Sequence, residues 1–163
     1  MNKEVMYKNL IDFKEVMEKH QIPFVLIFGA LLGLVRDKDL LEWDNDVDVA
    51  CFREDKWKTN GLIEDMVKKG FELQPNTPEH DTNFIRDGEK IEIWWFDKVN
   101  DKWVYDFNIQ YEDYYFDSLD DLEFLSDLWL IPYDVEDFLK KTYGDDWRIP
   151  NRHKGYILRG EVK

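Results

Sequence analysis

The chain has 163 residues, a size that predicts one compact domain over residues 1–163. Hydrophobic residues make up 44% of it and aromatic residues 16%, which excludes an intrinsically disordered protein despite 36% charged residues. The net charge of −14 argues against a protein that binds nucleic acid or anionic membrane nonspecifically, because such partners would meet a repulsive field.

Cysteine usage and hydropathy indicate the compartment. Cys51 is the only cysteine, so the chain cannot form an internal disulfide and shows no adaptation to an oxidising environment. The first residues lack the apolar core of a signal peptide, and no stretch approaches the roughly 20 apolar residues that span a bilayer. We therefore expect a soluble, cytoplasmic protein without a transmembrane segment.

The first elements alternate between helix and strand. Apolar residues recur at helical spacing from Lys3 to His20 and the pattern stops at Pro23, which predicts an amphipathic helix. The apolar run from Phe24 to Phe28 predicts a buried strand, and residues 30–35 have the composition of a short helix. The glycine at position 29 would form the turn between them.

A second strand and helix follow. Residues 46–52 read as a strand, residues 54–69 as a helix ended by Gly70, and residues 71–73 as a further strand. The helix residues predicted to face the core are Trp57, Ile63, Met66 and Val67. This order predicts the α/β fold class.

The next segment predicts a loop and a hairpin. Residues 74–81 are rich in proline and polar residues, so we expect a loop there. Residues 84–86 and 90–96 predict two strands, and the dipeptide Asp87-Gly88 between them is typical of a tight hairpin turn.

The C-terminal third is aromatic at first and basic at its end. Aromatic residues from 103 to 116 in a polar background favour short strands and packed loops over a long helix. Residues 128–131 predict a short strand, and residues 135–143 predict a helix capped by Asp134 and ended by Gly144.

An acidic strand carries the strongest chemical signal. Asp44, Asp46 and Asp48 alternate with other residues, so in an extended strand their carboxylates share one face while Val47 and Val49 take the other. Two carboxylates about 4 Å apart repel by roughly 4 kcal/mol at an effective dielectric constant near 20. A hard divalent cation such as Mg²⁺, or Mn²⁺, would offset that repulsion. The pattern predicts a metal site for phosphoryl transfer.

Two other interpretations of the acidic run are weaker. A solvated acidic face is common in a chain with 36 Asp and Glu, but it explains neither the valines nor the glycines upstream. A calcium-binding EF-hand loop would need glycine at its sixth position and glutamate at its twelfth, where this chain has Val49 and Asp55.

The glycine turn before the short helix predicts a phosphate site. Gly29 would let a phosphate approach the backbone, and the amides of Gly29, Ala30 and Leu31 would donate to it at the helix N-terminus. Close packing explains such a glycine equally well. Arg36 and Lys38 follow the helix and would reach a bound phosphate, although both also suit an exposed surface.

A third carboxylate is expected on a neighbouring strand. Glu92 lies between Ile91 and Ile93 and should point away from them. If it faces the aspartates, the site would bind one or two divalent ions, with one carboxylate drawing the proton from an incoming hydroxyl. The alternative is an exposed glutamate on an edge strand.

Basic residues collect near the C-terminus of this acidic chain. Such a local excess of positive charge suits a negatively charged donor. The members of this basic tail are Arg148, Arg152, Lys154 and Arg159. The histidines, His20, His80 and His153, have no spacing that suggests zinc or a catalytic triad.

These motifs together resemble the LicD and fukutin-related family of the nucleotidyltransferase superfamily. Residues 29–36, Gly-Ala-Leu-Leu-Gly-Leu-Val-Arg, resemble its Gly-Thr-Leu-Leu-Gly-x-x-Arg element. Residues 43–49, Trp-Asp-Asn-Asp-Val-Asp-Val, resemble its Trp-Asp-Asp-Asp-Ile-Asp-Ile element. Residues 131–134, 138–139 and 143–150 are similar to its closing segment, so the resemblance spans most of the chain.

The resemblance implies a nucleotidyltransferase-like fold, with a mixed β-sheet flanked by helices. It also implies transfer of a phospho-alcohol, such as phosphocholine or ribitol phosphate, from a CDP-linked donor to a sugar or glycan hydroxyl. Asp46 and Asp48 carry over as metal ligands, Gly29 as the phosphate-turn glycine, and Asp44 as a further ligand or a neighbour of one. Ala30 and Asn45 depart from the family pattern, which has a hydroxyl residue and an acid there.

Two other functions stay open. The same carboxylates would serve a nucleotidyltransferase that moves a nucleoside monophosphate onto a small molecule or protein. A noncatalytic module is the second alternative, in which the aromatic residues from 94 to 116 stack on glycans and the acids bind a structural ion.

Overall fold

The structure is a computed structural model that describes residues 1–75, 81–105 and 109–152. The helices are α1 (Lys3–Lys19), α2 (Phe28–Arg36), α3 (Thr59–Lys68), α4 (Tyr114–Asp117) and α5 (Val135–Tyr143), with a 3₁₀ helix over Arg53–Lys58. The strands are β1 (Val25–Leu26), β2 (Asp46–Phe52), β3 (Glu72–Leu73), β4 (Asp81–Arg86), β5 (Glu89–Val99), β6 (Lys102–Tyr105), β7 (Ile109–Glu112), β8 (Leu119–Phe124) and β9 (Asp127–Pro132).

A mixed sheet forms the centre of the molecule. Its main path runs β1-β2-β5-β4-β3, in which β2 and β5 are parallel and the other pairs are antiparallel. The last residues of the long strand β5 leave this path and pair with β6, which in turn pairs with β7. Strands β8 and β9 form a separate hairpin. The mixed α/β fold that the sequence predicts is confirmed.

The core lies on the apolar face of β2 and β5. Val47, Val49, Ile91 and Ile93 alternate with polar residues and are all 0% exposed. Helix α1 turns its apolar stripe to the same core, and Leu10 on that stripe is 1% exposed. The polar residues between the buried ones must therefore face the opposite side of the sheet.

Several predicted boundaries are confirmed by the local chemistry expected of them. The β4–β5 hairpin turns at Asp87 and Gly88, with φ of 52° and 84°, which is the left-handed pair that a tight hairpin favours. Helix α5 begins after Asp134, whose side chain accepts a hydrogen bond from the Asp137 amide, and it ends at Gly144 with φ of 90°.

Other boundaries were predicted wrongly. The strand over residues 24–28 is limited to β1, because α2 already begins at Phe28. The helix over residues 54–69 starts as a 3₁₀ helix, whose tighter winding shifts side chains out of phase with α3. Trp57 is consequently 78% exposed, and Val67 is 53% exposed, whereas Met66 is fully buried as predicted.

Some sequence predictions lie outside the described residues. The predictions concerned are those for most of the 74–81 loop, which includes His80, and for Phe107, His153, Lys154 and Arg159. None of the helices formed by the described parts of the chain combines the length and apolar composition that crossing a membrane requires.

Candidate active site

Three carboxylates converge on the polar face of the β2–β5 pair. The parallel register places Asp48 opposite Glu92, so the two side chains leave adjacent strands on the same face. Ligand oxygens of Asp46, Asp48 and Glu92 all lie within 4.8 Å of one another. Neighbouring oxygens of an octahedral Mg²⁺ lie about 3 Å apart, so the carboxylates would have to close inward by up to about 2 Å for one cation to contact all three. Glu92 therefore faces the aspartates.

The electrostatics of this group suit a cation. Burial raises the pKa of Asp48 well above its usual range, and the neighbouring charges of Asp46 and Glu92 raise it further. The Trp94 indole opposes this effect by donating from Nε1 to Asp48 Oδ1 at 2.9 Å. A bound divalent ion would stabilise the ionised carboxylates that burial and mutual repulsion now disfavour.

Asp44 lies beside these three carboxylates but precedes β2, so the shared strand face expected of the three aspartates holds for Asp46 and Asp48 alone. Its Oδ1 accepts a hydrogen bond from the Asn45 amide at 3.1 Å. Burial, followed by the charge of Asp46, raises the pKa of Asp44 to about 6. Asp44 is thus an immediate neighbour of Asp46 and shares its electrostatic environment.

The two glycines of α2 allow the loop between α2 and β2 to pack closely against the helix. A Cβ at Gly29 would lie 1.8 Å from Asp44 Oδ2, and one at Gly33 would lie 2.6 Å from the carbonyl oxygen of Asp39. The glycines are four residues apart and share one helix face. The left-handed residue at this corner is Phe28, with φ of 48°. Close packing of Asp44 is therefore one demonstrated reason for glycine at position 29.

An open cleft of about 350 Å³ contains most of the predicted site. The predicted residues that line it are Gly29, Arg36, Asp44, Asp46, Asp48 and Glu92. The Arg36 side chain is 7% exposed, and its Nε and Nη2 each donate to Asp37 at 2.7 Å. This paired hydrogen bond raises the pKa of Arg36 and fixes its guanidinium beside the cleft.

Four other predicted substrate-binding residues do not line this cleft. Ala30 and Leu31 are 2% and 0% exposed, and the Leu31 amide already donates to the Ile27 carbonyl at 3.2 Å. Lys38 is exposed on the loop after α2. Arg148 lies outside the lining and pairs with Glu136 at 2.5 Å.

The sequence alone assigned no role in the site to Lys90, Trp43 or Trp94. Lys90 Nζ lies 3.0 Å from Asp46 Oδ2 and 2.5 Å from Glu92 Oε1. Its position two residues before Glu92 on the same strand was the available signal. Trp94 and Trp43 line the cleft itself.

Trp43 lies near two cationic side chains at the cleft. The guanidinium carbons of Arg36 and Arg152 are 5.9 Å and 5.6 Å from its ring centroid. Both arginines line the cleft, so the predicted basic tail supplies at least Arg152 to this site. The cleft thus combines a carboxylate cluster with two guanidinium groups.

Comparisons with known proteins agree with this architecture. An uncharacterized protein of Rickettsia typhi is 26% identical over 112 residues, which cover 68% of this chain and 35% of the relative. The chain therefore spans about a third of the length of that curated relative.

Solved structures with a similar fold include ANT(2″)-Ia in complex with adenylyl-2″-tobramycin. That match has a TM-score of 0.55 at 8% identity and covers 78% of this chain and 69% of the other. The solution structure of the antibiotic-resistance factor ANT(2″)-Ia gives 0.57 at 8% identity, with coverages of 80% and 66%. A Thermotoga maritima protein described as a candidate nucleotidyltransferase gives 0.52 at 15% identity and covers 86% of each chain. These likenesses are of fold.

The family comparison covers the elements that build the cleft. Residues 21–134 match the nucleotidyltransferase domain described as LicD/FKTN/FKRP. This range includes α2, the acidic motif and the strand that carries Glu92. The chain belongs to the LicD/FKTN/FKRP nucleotidyltransferase domain family.

Proposed function

We propose that this chain is a divalent-metal-dependent transferase that moves a phospho-alcohol from a CDP-linked donor to a sugar or glycan hydroxyl. The observation that carries the proposal is the convergence of Asp46, Asp48 and Glu92 in the cleft that Gly29 also lines. Membership of the LicD/FKTN/FKRP family supports transfer chemistry of this general kind.

Asp46 and Asp48 are the proposed ligands of Mg²⁺ or Mn²⁺, with Glu92 as third ligand or general base and Asp44 as a further or neighbouring ligand. When bound, the cation would neutralise negative charge on the donor phosphates. The cluster fits this role because its oxygens are close together and its most enclosed carboxylate, that of Asp48, is destabilised in its ionised form. In the base role, Glu92 would accept the proton of the acceptor hydroxyl.

The N-terminus of α2 is the proposed site of the donor diphosphate. The Leu31 amide donates to the carbonyl of Ile27, the residue just before this helix. In the described chain, the amides of Gly29 and Ala30 have no acceptor, and a helix N-terminus favours negative charge. Of these two residues Gly29 lines the cleft and Ala30 is buried outside it, so the Gly29 amide would orient the phosphates toward the carboxylate-bound cation.

Arg36 and Arg152 supply the positive charge that a phosphorylated donor needs in a chain of net charge −14. Arg36 is preoriented by Asp37, whereas Arg152 lies against Trp43. We propose that Arg36 contacts the phosphates directly and that Arg152 adds to the positive electrostatic potential of the cleft. Lys38 and Arg148, which lie outside the cleft lining, stay predictions for peripheral donor contacts.

The test is a donor screen with product analysis. Purified protein is incubated with CDP-ribitol or CDP-choline, a sugar acceptor and Mg²⁺, and CMP release is measured together with the mass of the acceptor. We expect the acceptor to gain the phospho-alcohol in a reaction that EDTA stops. A substitution of Glu92 needs a matched control, and Asp97→Asn provides it. Asp97 lies on the same strand as Glu92 but pairs with Arg53 away from the cleft lining.

Nucleoside monophosphate transfer is the second candidate. One structural neighbour was solved with adenylyl-2″-tobramycin, which shows that a related fold accommodates an adenylylated small molecule. An acceptor that gains a nucleotide would replace the first proposal with this one. A noncatalytic glycan-binding module would instead bind glycan without metal and show no response to CDP and Mg²⁺ in a calorimetric titration.

A further inference from the structure

Lys90 occupies one side of the carboxylate cluster. The parallel register places it opposite Asp46, and its ammonium bridges Asp46 Oδ2 at 3.0 Å and Glu92 Oε1 at 2.5 Å. The Lys90 side chain is 30% exposed, while those of Asp46 and Glu92 are 22% and 18% exposed. The ammonium therefore contacts two of the three candidate metal ligands within a partly enclosed site.

Each of the three carboxylates has one oxygen held by an N–H donor. Lys90 donates to Asp46 Oδ2, Trp94 donates to Asp48 Oδ1 at 2.9 Å, and Glu92 Oε1 receives both Lys90 and the Asn83 amide at 3.2 Å. The second oxygen of each carboxylate has no N–H donor within the described segments. Three oxygens are enough for one face of an octahedral ion and leave its other positions for phosphate and water.

Charge bears on the same count. One divalent ion and one ammonium carry three positive charges, which offset the three carboxylates of the cluster, while Asp44 adds a fourth carboxylate beside them. Two divalent ions in a shared site lie about 3.5–4 Å apart and need carboxylate oxygens on both. A second ion on Glu92 Oε1 would lie close to the Lys90 ammonium, which is 2.5 Å from that oxygen. The two cations would repel each other at short range.

We propose that Lys90 takes the place of a second divalent ion on the Glu92 side of the cluster, so that the site holds one exchangeable cation. Lys90 is thereby a positioning residue that orients Asp46 and Glu92 toward that cation. This inference rests on the proposed function, because it refines the metal content of the same site.

The experiment counts bound Mn²⁺ per chain by electron paramagnetic resonance titration. Wild type should bind one ion, Lys90→Arg should also bind one, and the neutral Lys90→Met should bind two. In EDTA, Lys90→Met should also unfold at a lower temperature than wild type, and excess Mn²⁺ should raise its melting temperature by more. Lys102→Met is the matched control, because Lys102 is a strand lysine paired with Glu112 away from the cluster.

The outcomes separate this inference from the proposed function. Two ions on the wild-type chain, or one ion on folded Lys90→Met, would overturn the inference and leave a metal-dependent transferase in place. A wild-type chain that binds no Mn²⁺ would overturn both. If Lys90→Met does not fold, Lys90→Gln replaces it, and the wild-type count still decides against the inference if it is two.

Discussion

The two faces of the β2–β5 pair differ in what they contribute. On one face Val47, Val49, Ile91 and Ile93 are fully buried and join the core. On the other face Asp46, Asp48, Lys90 and Glu92 form a cluster of like and opposite charges at the cleft. One alternating pattern thus provides stability and chemistry at once, and substitutions on the two faces should separate them.

The largest effect is expected from Asp48→Asn. Loss of a charged ligand should reduce turnover by about 10³-fold, since metal stabilisation of developing charge is worth several kcal/mol. The fold should persist, because burial already disfavours the ionised form of Asp48. Turnover and thermal unfolding in EDTA measure the two effects. Retained turnover would show that the reaction does not need Asp48 as a metal ligand. An Asp48→Asn variant that is unfolded in EDTA would show that Asp48 has a structural role instead.

Ile93→Ala tests the core-facing side of β5, the strand next to β2. Ile93 is fully buried, so its truncation should lower the free energy of unfolding by about 2–5 kcal/mol. Turnover per folded molecule should stay near the wild-type value, because Ile93 does not line the cleft. Chemical denaturation checks the first part. A large loss of turnover with unchanged stability would contradict the division between the faces.

The α2 glycines offer a finer comparison. At Gly33 a methyl group meets the Asp39 carbonyl, which is backbone, so Gly33→Ala should destabilise the protein by about 1–3 kcal/mol. At Gly29 it meets the Asp44 carboxylate, which can move, so Gly29→Ala should reduce turnover more than stability. Denaturation and turnover measured on both variants test this. Equal losses of stability with turnover unaffected would show that the position of Asp44 is unimportant.

The smallest effect concerns pH. In the folded chain Asp44 has its pKa raised to about 6 from an ordinary value of 3.8, mainly by burial. Between these values the folded state binds more protons than the unfolded state, so this contribution to the free energy of unfolding falls as pH rises. Mg²⁺ affinity should rise over the same range, because the ligands must be ionised.

Urea unfolding in EDTA between pH 4 and 7 measures this contribution as the difference between wild type and Asp44→Asn. The subtraction is needed because Asp12, Asp37 and Asp39 have lowered pKa values and stabilise the fold as pH rises. The difference should fall up to about pH 6 and then level off. A difference that is constant with pH would contradict the burial of the Asp44 carboxyl.

The sequence predicts elements whose signal is local. Residues 46–52 alternate strictly at first and give β2 with its exact bounds, and Asp87-Gly88 gives the hairpin. Strand β8 was missed because its acids and isolated apolar residues form no apolar run. Trp57 was misplaced because a 3₁₀ helix and an α-helix share composition but differ in rotation per residue.

The site was predictable as a list of carboxylates but not as an arrangement. That Glu92 joins Asp46 and Asp48 follows from the parallel pairing of β2 with β5, which is separated in sequence by α3 and two further strands. The same register brings Lys90 to Asp46, and no sequence pattern reports such a contact between distant strands. The resemblance at residues 29–36 identified the glycines, whereas the contact of Gly29 with Asp44 required coordinates.

The most direct test of the central claim is the anomalous scattering of Mn²⁺ in crystals of the chain grown with CDP. We predict one peak within about 2.5 Å of oxygens from Asp46, Asp48 and Glu92, with the CDP phosphates on its open side. A peak elsewhere in the chain, or an empty carboxylate cluster at saturating Mn²⁺, would contradict a metal-dependent phosphoryl-transfer site on this face of the sheet.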